Sequence, residues 1–232
     1  HMLGVNAGNR TKIVQWIQAQ LHPEDEVLMS DRTEETAMLA IQGPRAIELV
    51  DPLLDTDVQS MAYYRSRTTK QMGKVCIVSR TGYTGEDGVE LIMRREDAPL
   101  ILDNLFRAGR EFNLVAAGLG ARDTLRMEAA MPLYGHELDE TINPFEAGLS
   151  FAVNFNDSSD RPRSFVGSEA LQPLADQSPR ITRVGLLLEG KRAAREKYPV
   201  FRDETRVGEV SSGTFSPTLQ RPIAMAYIDA AD

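Results

Sequence analysis

The apolar positions in the N-terminal part of the chain follow first the spacing of a helix and then that of short strands. Ile13, Ile17 and Leu21 recur every fourth residue, which predicts a helix over residues 11–22. A short helix is also predicted over residues 44–53, because a proline suits its first turn. Two short, mostly apolar runs between these helices predict strands, at residues 26–29 and 36–41.

The middle of the chain mixes strand and helix signals. Residues 61–94 carry many β-branched and aromatic side chains between recurring glycines, a composition typical of strands. Helices are predicted over residues 99–110 and 118–131. The buried face of the first of these is expected to consist of Leu100, Ile101, Leu105 and Phe106. This order of elements predicts an α+β fold in which helices cover one face of a sheet.

The C-terminal part begins after a polar segment, residues 156–163, which lacks apolar periodicity and is a predicted linker. Residues 211–217 are predicted to form a turn, because serine, glycine and proline are frequent there. Short strands are predicted at residues 182–188, 200–202, 207–211 and 224–228. Their hairpin spacing predicts a small β-barrel or sandwich. The chain is therefore expected to divide into an N-terminal domain, residues 1–160, and a C-terminal domain, residues 161–232.

Composition and charge narrow the classes of protein to which the chain can belong. Of its 232 residues, 42% are hydrophobic and 26% are charged, as in ordinary globular proteins. The net charge of −8 argues against nucleic acid as a partner, and no apolar run approaches the length of a membrane span. One cysteine and three histidines leave neither a disulfide nor a cluster of metal ligands. We therefore expect no metal, no membrane partner and a reducing compartment, the cytoplasm.

A glycine-rich loop at residues 81–90 ends at Glu90, the first candidate for a ligand contact. The loop is not a phosphate loop, because no Lys-Ser or Lys-Thr pair follows it. Strand alternation places Glu90 with Ile92, on the face opposite Val89 and Leu91. A carboxylate on an apolar strand requires hydrogen-bond donors, and a flat heterocycle such as a pterin offers two parallel ones. The alternative is an edge-strand glutamate that faces water or pairs with an arginine.

The segment at residues 118–128 places small residues before a charged group. Arg122 and Arg126 are four residues apart and share a helical face, and Asp123 lies three residues before Arg126. Arg122 could therefore reach an anionic or carbonyl group of a ligand. The alternative, which spacing alone favours, is a solvated ladder of salt bridges that contributes little to stability.

Three further features have simpler interpretations. His136 lacks a nucleophile pattern beside it and is expected to be a structural histidine in a turn. Cys76 alternates with strand residues and is expected to be a core thiol. A basic cluster could bind a carboxylate-bearing tail, although an exposed hairpin loop is the default interpretation; its members are Lys191, Arg192, Arg195 and Lys197.

Taken in order, these segments resemble the T-proteins of the glycine cleavage system, which are aminomethyltransferases. The resemblance covers nearly the whole chain and includes the Gly-Tyr-Thr-Gly-Glu-Asp-Gly run that begins at Gly82. The matching segments are residues 5–10, 39–44, 82–90, 118–128, 133–135, 143–149, 165–167 and 208–217.

This resemblance implies a fold and a reaction. The fold would be the folate-binding T-protein fold, with a ferredoxin-like subdomain of mixed sheet and helix at about residues 34–112 and a C-terminal β-barrel. The reaction would transfer the aminomethyl group from the lipoyl arm of a partner H-protein to tetrahydrofolate, with release of ammonia and formation of methylene-tetrahydrofolate. The location would be the cytoplasm, or the mitochondrial matrix in a eukaryote.

The resemblance also assigns site residues. Tyr83, Glu90 and Arg122 match folate contacts of the family, and Asn6 matches an asparagine near the pterin. Arg195 matches an arginine near the active site, in a basic loop that is one residue longer here. In these roles Glu90 accepts from the pterin donors, Arg122 supplies positive charge, and the ring of Tyr83 packs on the ligand.

The sequence departs from the family pattern at both ends. The catalytic aspartate of the family lies upstream of the asparagine motif at which this chain starts, so no residue of the chain takes that role. The chain also ends before the last strands of the barrel. We therefore expect an incomplete barrel, a partial folate site and negligible turnover by this chain alone.

Three other assignments share parts of this pattern. A folate-dependent protein of iron–sulfur cluster assembly would carry a reactive cysteine in a Lys-Gly-Cys-Tyr type motif, which is absent here. The C-terminal half of sarcosine and dimethylglycine dehydrogenases shares the folate-binding architecture. The sequence of the glycine-rich loop, Gly-Tyr-Thr-Gly-Glu-Asp-Gly, favours the T-protein instead. A non-catalytic folate-binding module is the remaining alternative.

Overall fold

The chain folds into two units, each built around a four-stranded antiparallel sheet. A computed structural model describes residues 1–230. The first unit comprises residues 1–82 and 86–116, and the second comprises residues 83–85 and the chain from residue 117 onwards. The α+β class and the two sheets confirm the predicted fold class, whereas the division at residue 160 stays a prediction.

The first unit begins with a helix and continues with four strands and two further helices. Its elements are α1 (Arg10–Gln20), β1 (Thr36–Gln42), α2 (Ala46–Val50), β2 (Ser66–Gln71), β3 (Lys74–Ser79), β4 (Gly88–Arg94) and α3 (Ala98–Ala108). The strands lie in the order β1-β4-β3-β2, and every neighbouring pair is antiparallel. The turn between β2 and β3 is Met72-Gly73, and both residues have positive φ, as in a type I′ hairpin.

One face of this sheet forms the core of the first unit. Val89, Leu91 and Met93 on β4 are buried, whereas Glu90 and Ile92 on the opposite face are half-buried. This confirms the predicted alternation. Apolar side chains from α2, α3, the neighbouring strands and the loop that precedes β2 complete the core: Ile41, Leu49, Val50, Val58, Met61, Cys76, Val78, Ile101 and Leu105.

The second unit has two helices followed by four strands. Its elements are α4 (Leu119–Glu128), α5 (Ser168–Ala175), β5 (Ile181–Leu187), β6 (Pro199–Arg202), β7 (Thr205–Ser216) and β8 (Arg221–Asp229). The strands lie in the order β5-β8-β7-β6. The strand β7 is long and irregular, with a register shift between Val210 and Ser212. α4 packs against β7 and β8, and Met127 of this helix shares a small apolar cluster with Ile223 and Met225.

Some local predictions were wrong. Residues 26–29 form no strand, and Leu28 is 95% exposed, because an apolar run makes a strand only where another strand pairs with it. Leu100 and Phe106 lie partly in solvent, at 42% and 38% exposure. Only Ile101 and Leu105 of the predicted face of α3 are fully buried, since the stripe that contacts the core is narrower than expected.

The predicted turn at residues 211–217 was also wrong. β7 continues to Ser216, and the turn comes after it. The serines of this segment are buried because their hydroxyls have partners. Ser211 Oγ donates to Glu137 Oε1 at 2.6 Å and lies 3.1 Å from the carbonyl oxygen of Met225. Polar side chains in a strand therefore need not indicate a turn when another element supplies acceptors.

The helices of residues 1–230 are too short or too polar for any of them to cross a membrane.

Candidate functional site

Glu90 lies in the interior of the first sheet. Its strand β4 is flanked by β1 and β3, where Ala40 and Ser79 are its direct neighbours across the strands. The alternative of an edge-strand glutamate is therefore wrong. The hydroxyl of Thr81 donates to Glu90 Oε2 at 2.5 Å, and no arginine pairs with Glu90 within residues 1–230. A half-buried carboxylate thus keeps most of its capacity to accept hydrogen bonds.

Both ends of the glycine-rich loop are held by side chains of the first unit. Gln42 Nε2 donates to the carbonyl oxygens of Thr81 and Val89, at 3.1 and 3.0 Å. Arg80 binds Asp87 through two contacts, Nε to Oδ1 at 3.1 Å and Nη2 to Oδ2 at 2.6 Å. The hydrogen bond from Arg80 is the main cause that lowers the pKa of Asp87. The loop therefore presents Glu90 from a fixed backbone.

Tyr83 and Arg122 lie against each other in the second unit. The Tyr83 hydroxyl donates to the carbonyl oxygen of Pro132 at 2.6 Å, and Arg122 Cζ lies 5.4 Å from the centroid of the Tyr83 ring, within cation–π range. Gly85 adopts φ +79°, and a Cβ there would lie 2.7 Å from Ala129 Cβ. Only glycine lets the loop approach the end of α4 so closely. Burial raises the pKa of Tyr83, so its hydroxyl stays protonated as a donor.

The prediction of a solvated salt-bridge ladder on α4 was wrong for Arg126. This side chain is 2% exposed and pairs with Glu137, which is fully buried, at 2.8 Å. Arg126 Nε also contacts Asp123 Oδ1 at 2.8 Å, and Nη2 donates to Ser212 Oγ at 3.0 Å. Sequence spacing could not reveal this network, because Glu137 and Ser212 lie far from Arg126 along the chain.

Glu137 accepts several hydrogen bonds in addition to the ion pair. The backbone N–H of Leu133 donates to Oε2 at 3.0 Å, and Ser211 Oγ donates to Oε1 at 2.6 Å. Burial alone would raise the pKa of this carboxyl, but the hydrogen bonds from serine side chains and from Leu133, together with the charge of Arg126, lower it. Glu137 is therefore a buried, ionised carboxylate that fixes the end of α4 relative to β7.

A second carboxylate of α4 holds the turn between β7 and β8. Glu128 Oε1 accepts from Ser216 Oγ at 2.5 Å and from the Thr218 N–H at 3.2 Å, and Oε2 accepts from the Thr218 hydroxyl at 2.8 Å. The hydrogen bond from Ser216 is the main cause that lowers the pKa of Glu128. α4, which carries Arg122, is thus fixed to the second sheet at both of these acidic contacts.

The two remaining predicted site residues are exposed. Asn6 belongs to the first unit and precedes a 3-10 turn, where its carbonyl oxygen accepts from the Asn9 N–H at 2.9 Å. Arg195 belongs to the second unit and lines two neighbouring cavities, of about 720 and 310 Å³. Asn6 and Glu90 therefore come from one unit, and Tyr83, Arg122 and Arg195 from the other.

The smaller of these cavities also contains His136. His136 Nδ1 lies 3.3 Å from the carbonyl oxygen of Ser211 and 3.6 Å from Glu196 Oε2. These contacts agree with the structural role expected for this histidine. Across residues 1–230, no three His, Cys, Asp or Glu side chains come together in a way that could hold a metal ion.

Comparison with known sequences assigns these elements to a family. The sequence model of the GCVT N-terminal domain matches residues 1–157. The chain belongs to the glycine cleavage T-protein family. A second model, that of the glycine cleavage T-protein C-terminal barrel domain, matches residues 182–232. The predicted resemblance is confirmed.

Individual relatives support the same assignment. The chain is 45% identical over 230 residues to an aminomethyltransferase of Moorella thermoacetica, covering 99% of this chain and 61% of the relative. It is 47% identical over 225 residues to one of Rubrobacter xylanophilus, covering 97% of this chain and 58% of that relative. This T-protein family chain therefore spans about three fifths of the length of the curated relatives that it matches.

A solved structure resembles the fold. The crystal structure of the glycine cleavage system aminomethyltransferase T from Bartonella henselae matches with a TM-score of 0.61 and 21% identity, covering 85% of this chain and 79% of that one. At this level of identity the match supports the T-protein fold alone.

Proposed function

We propose that this T-protein family chain takes part in the tetrahydrofolate-dependent aminomethyl transfer of the glycine cleavage system. In this reaction an aminomethyl group carried on the lipoyl arm of an H-protein becomes methylene-tetrahydrofolate, and ammonia is released. Family membership and the relatives named aminomethyltransferase support the proposal. The reaction, the H-protein partner, tetrahydrofolate and the cytoplasmic location are all parts of the proposal, because the chain spans three fifths of those relatives.

The observation that carries the proposal is the environment of Glu90. The residue is an acidic group on an interior strand, and its hydrogen-bond partner is the hydroxyl of Thr81. A carboxylate has about four acceptor sites, so Glu90 can bind Thr81 and still receive two parallel N–H donors. The ring N–H and the amino group of a pterin form such a pair. The residues present therefore fit the folate.

Tyr83 and Arg122 supply a second contact surface in this proposal. The flat Tyr83 ring offers a face for stacking, while its hydroxyl is already bound to Pro132. The guanidinium of Arg122 lies over the same ring and remains exposed, so it can donate to a carbonyl or a carboxylate of the ligand. Asn6 and Arg195 remain in the proposed site through the family resemblance.

The chemical step places further demands on the site. When the folate nitrogen attacks the methylene carbon, the departing amine needs a proton and the developing positive charge needs a nearby carboxylate. No residue of this chain is proposed for that role. The part assigned here to the named residues is to bind and orient tetrahydrofolate.

Calorimetric titration with tetrahydrofolate tests the proposal. The wild-type chain is compared with Glu90→Gln and with Glu96→Gln, a matched change at an exposed glutamate just beyond the same strand. We expect Glu90→Gln to weaken binding roughly tenfold or more, because a hydrogen bond to a charged group contributes about 1.5–3 kcal/mol. Glu96→Gln should bind like the wild type. Equal binding by all three proteins would remove Glu90 from the site.

A further inference from the structure

The carboxylate of Glu90 is held by a residue outside the set of proposed ligand contacts. A glutamate side chain has several rotatable bonds, and holding it in one conformation costs entropy. The hydroxyl of Thr81 contacts Glu90 Oε2 at 2.5 Å. An ionised carboxylate can only accept hydrogen bonds, so the threonine hydroxyl is the donor. A bond of this length from a hydroxyl to a charged oxygen belongs to the stronger class of hydrogen bonds.

The neighbouring strands leave space around the Glu90 side chain. The residues directly opposite Glu90 are Ala40 on β1 and Ser79 on β3, and both have small side chains. Packing against these two neighbours therefore does not fix the direction of the carboxylate. The hydrogen bond from Thr81 supplies that constraint.

The backbone that carries the Thr81 hydroxyl is itself fixed. Gln42 Nε2 donates to the carbonyl oxygens of Thr81 and Val89, at 3.1 and 3.0 Å. One amide group thus joins the residue that carries the donor to the residue directly before Glu90. The branched Cβ of threonine also restricts rotation about its first side-chain bond. The hydroxyl therefore has little freedom to move away from the carboxylate.

The residue before Thr81 is anchored as well. Arg80 Nη2 lies 2.6 Å from Asp87 Oδ2, and Arg80 Nη1 donates to the carbonyl oxygen of Met61 at 2.6 Å. The backbone N–H of Arg80 donates to the carbonyl oxygen of Arg65 at 2.9 Å. The position of Thr81 is therefore set before any ligand binds.

We propose that Thr81 is a positioning residue for ligand binding by Glu90. The hydroxyl holds Oε2 and so fixes the plane of the carboxylate, which presents its other acceptor positions together to a ligand with two parallel N–H donors. The identity of that ligand as a pterin rests on the proposed function. Ordering the side chain in advance removes part of the entropy cost of binding. Loss of the hydroxyl therefore weakens binding although Glu90 itself is unchanged.

Four variants test this role. Thr81→Val removes the hydroxyl and keeps the branched shape, whereas Thr81→Ser keeps the hydroxyl. Thr81→Ala also removes the hydroxyl, and its comparison with Thr81→Ser does not depend on how well a valine packs. The control, Thr68→Val, makes the same change at an exposed threonine of β2 in the same unit. Each variant is checked for folding by circular dichroism and is titrated with tetrahydrofolate by calorimetry.

We expect Thr81→Val and Thr81→Ala to bind tetrahydrofolate roughly three- to tenfold more weakly than the wild type, because one more side chain must then be ordered on binding. Thr81→Ser and Thr68→Val should bind within about twofold of the wild type. Wild-type affinity in both Thr81→Val and Thr81→Ala would overturn the proposal.

A double-mutant cycle with Glu90→Ala gives a result that a purely structural role of Thr81 would not produce. In the Glu90→Ala background no carboxylate remains to be oriented, so Thr81→Val should change the affinity by less than about twofold. The same weakening in both backgrounds would overturn the proposal, because the hydroxyl would then act through the loop and not through Glu90.

Carbon-13 NMR of the glutamate carboxyl groups tests the contact without any folate. The Glu90 signal is assigned by its absence from Glu90→Ala. It should shift in Thr81→Val and keep its position in Thr68→Val. A signal that does not move in Thr81→Val would show that the hydroxyl does not hold this carboxylate, which would overturn the proposal.

The titrations also separate this inference from the proposed function. If Glu90→Ala weakens binding of tetrahydrofolate and Thr81→Val does not, the positioning role is wrong and the proposed function stands. If tetrahydrofolate does not bind the wild type, or binds Glu90→Ala equally well, the binding role of Glu90 is wrong and the role of Thr81 is wrong with it.

Discussion

Arg126 and Glu137 form an ion pair in which both side chains are shielded from solvent. Arg126 Nη1 lies 2.8 Å from Glu137 Oε2, and the two side chains are 2% and 0% exposed. A buried pair of this kind is weak evidence for added stability, because each charge loses its hydration. Its consequence is geometric: it fixes α4, which carries Arg122, to the segment around residue 137 and, through Ser211 and Ser212, to β7.

Breaking this pair should destabilise the protein strongly. Glu137→Gln would leave the guanidinium of Arg126 buried without a counter-charge, and such a change costs about 3–5 kcal/mol. Urea unfolding followed by circular dichroism measures the loss. The matched control is Glu209→Gln, which breaks the exposed pair with Arg206 and should cost no more than about 1 kcal/mol. Similar losses of unfolding free energy in the two variants would show that burial of the Arg126–Glu137 pair is not what makes its disruption costly.

The same carboxylate should make stability depend on pH in the acid range. The pKa of Glu137 is lowered in the folded protein. Its contribution is therefore present above the unfolded pKa of about 4.3 and is lost as the pH falls through the folded pKa. The difference in unfolding free energy between the wild type and Glu137→Gln should shrink as the pH falls below about 4. A difference that stays constant down to the lowest pH at which both proteins fold would show that the pKa of Glu137 is not lowered in the native state.

The fold could be predicted from the sequence where periodicity alone determines burial. On β4, alternation correctly assigned Val89 and Leu91 to the core and Glu90 to the other face. The strand prediction failed at residues 26–29, where an apolar run has no strand to pair with. The turn prediction, which rested on composition, failed at Ser211, where acceptors from Glu137 and Met225 keep a polar side chain inside a strand. In both places the structure depends on whether a partner far along the chain is present, and local spacing in the sequence does not reveal such partners.

The candidate site could likewise be predicted only where the signal lies in the local sequence. Glu90 could be singled out because its own strand is apolar, and Arg122 because small residues precede it on its helix. Tyr83 was named by the family resemblance alone. Arg126 was misassigned to solvent, since its helical spacing to Asp123 is that of an ordinary surface pair. Only the folded chain shows that Glu137 lies beside it.

Cys76 should be unreactive in the native protein. The thiol is 2% exposed in the core of the first unit, and burial raises its pKa above the ordinary range, with a smaller contribution from Asp55. Both effects reduce the accessible thiolate, which is the reactive form. Ellman's reagent should therefore release little colour from the native chain and about one equivalent per chain in guanidinium chloride, because the sequence contains one cysteine. Rapid reaction of the native chain would show that this core opens readily.

Two glycines of the glycine-rich loop, Gly82 and Gly88, should be required for different reasons. A Cβ at Gly82 would overlap only the side chain of Gln42, whereas a Cβ at Gly88 would also overlap the backbone oxygen of Ile41. Both Gly82→Ala and Gly88→Ala should destabilise the chain. In a Gln42→Ala background, however, the side chain that obstructs Gly82→Ala is gone. The cost of Gly82→Ala should then fall by about 0.5–3 kcal/mol, the usual coupling between residues in contact.

Gly88→Ala is the control for this double-mutant cycle. It should remain costly in the Gln42→Ala background, because the carbonyl of Ile41 belongs to the β1–β4 ladder and cannot move aside. Gln42→Ala itself should cost about 1–3 kcal/mol, since the carbonyl oxygens of Thr81 and Val89 lose their bonds to its amide. Urea unfolding of the five variants and the wild type measures these terms. Equal coupling of Gln42 to both glycines would show that Gln42 does not specifically occupy the space beside Gly82.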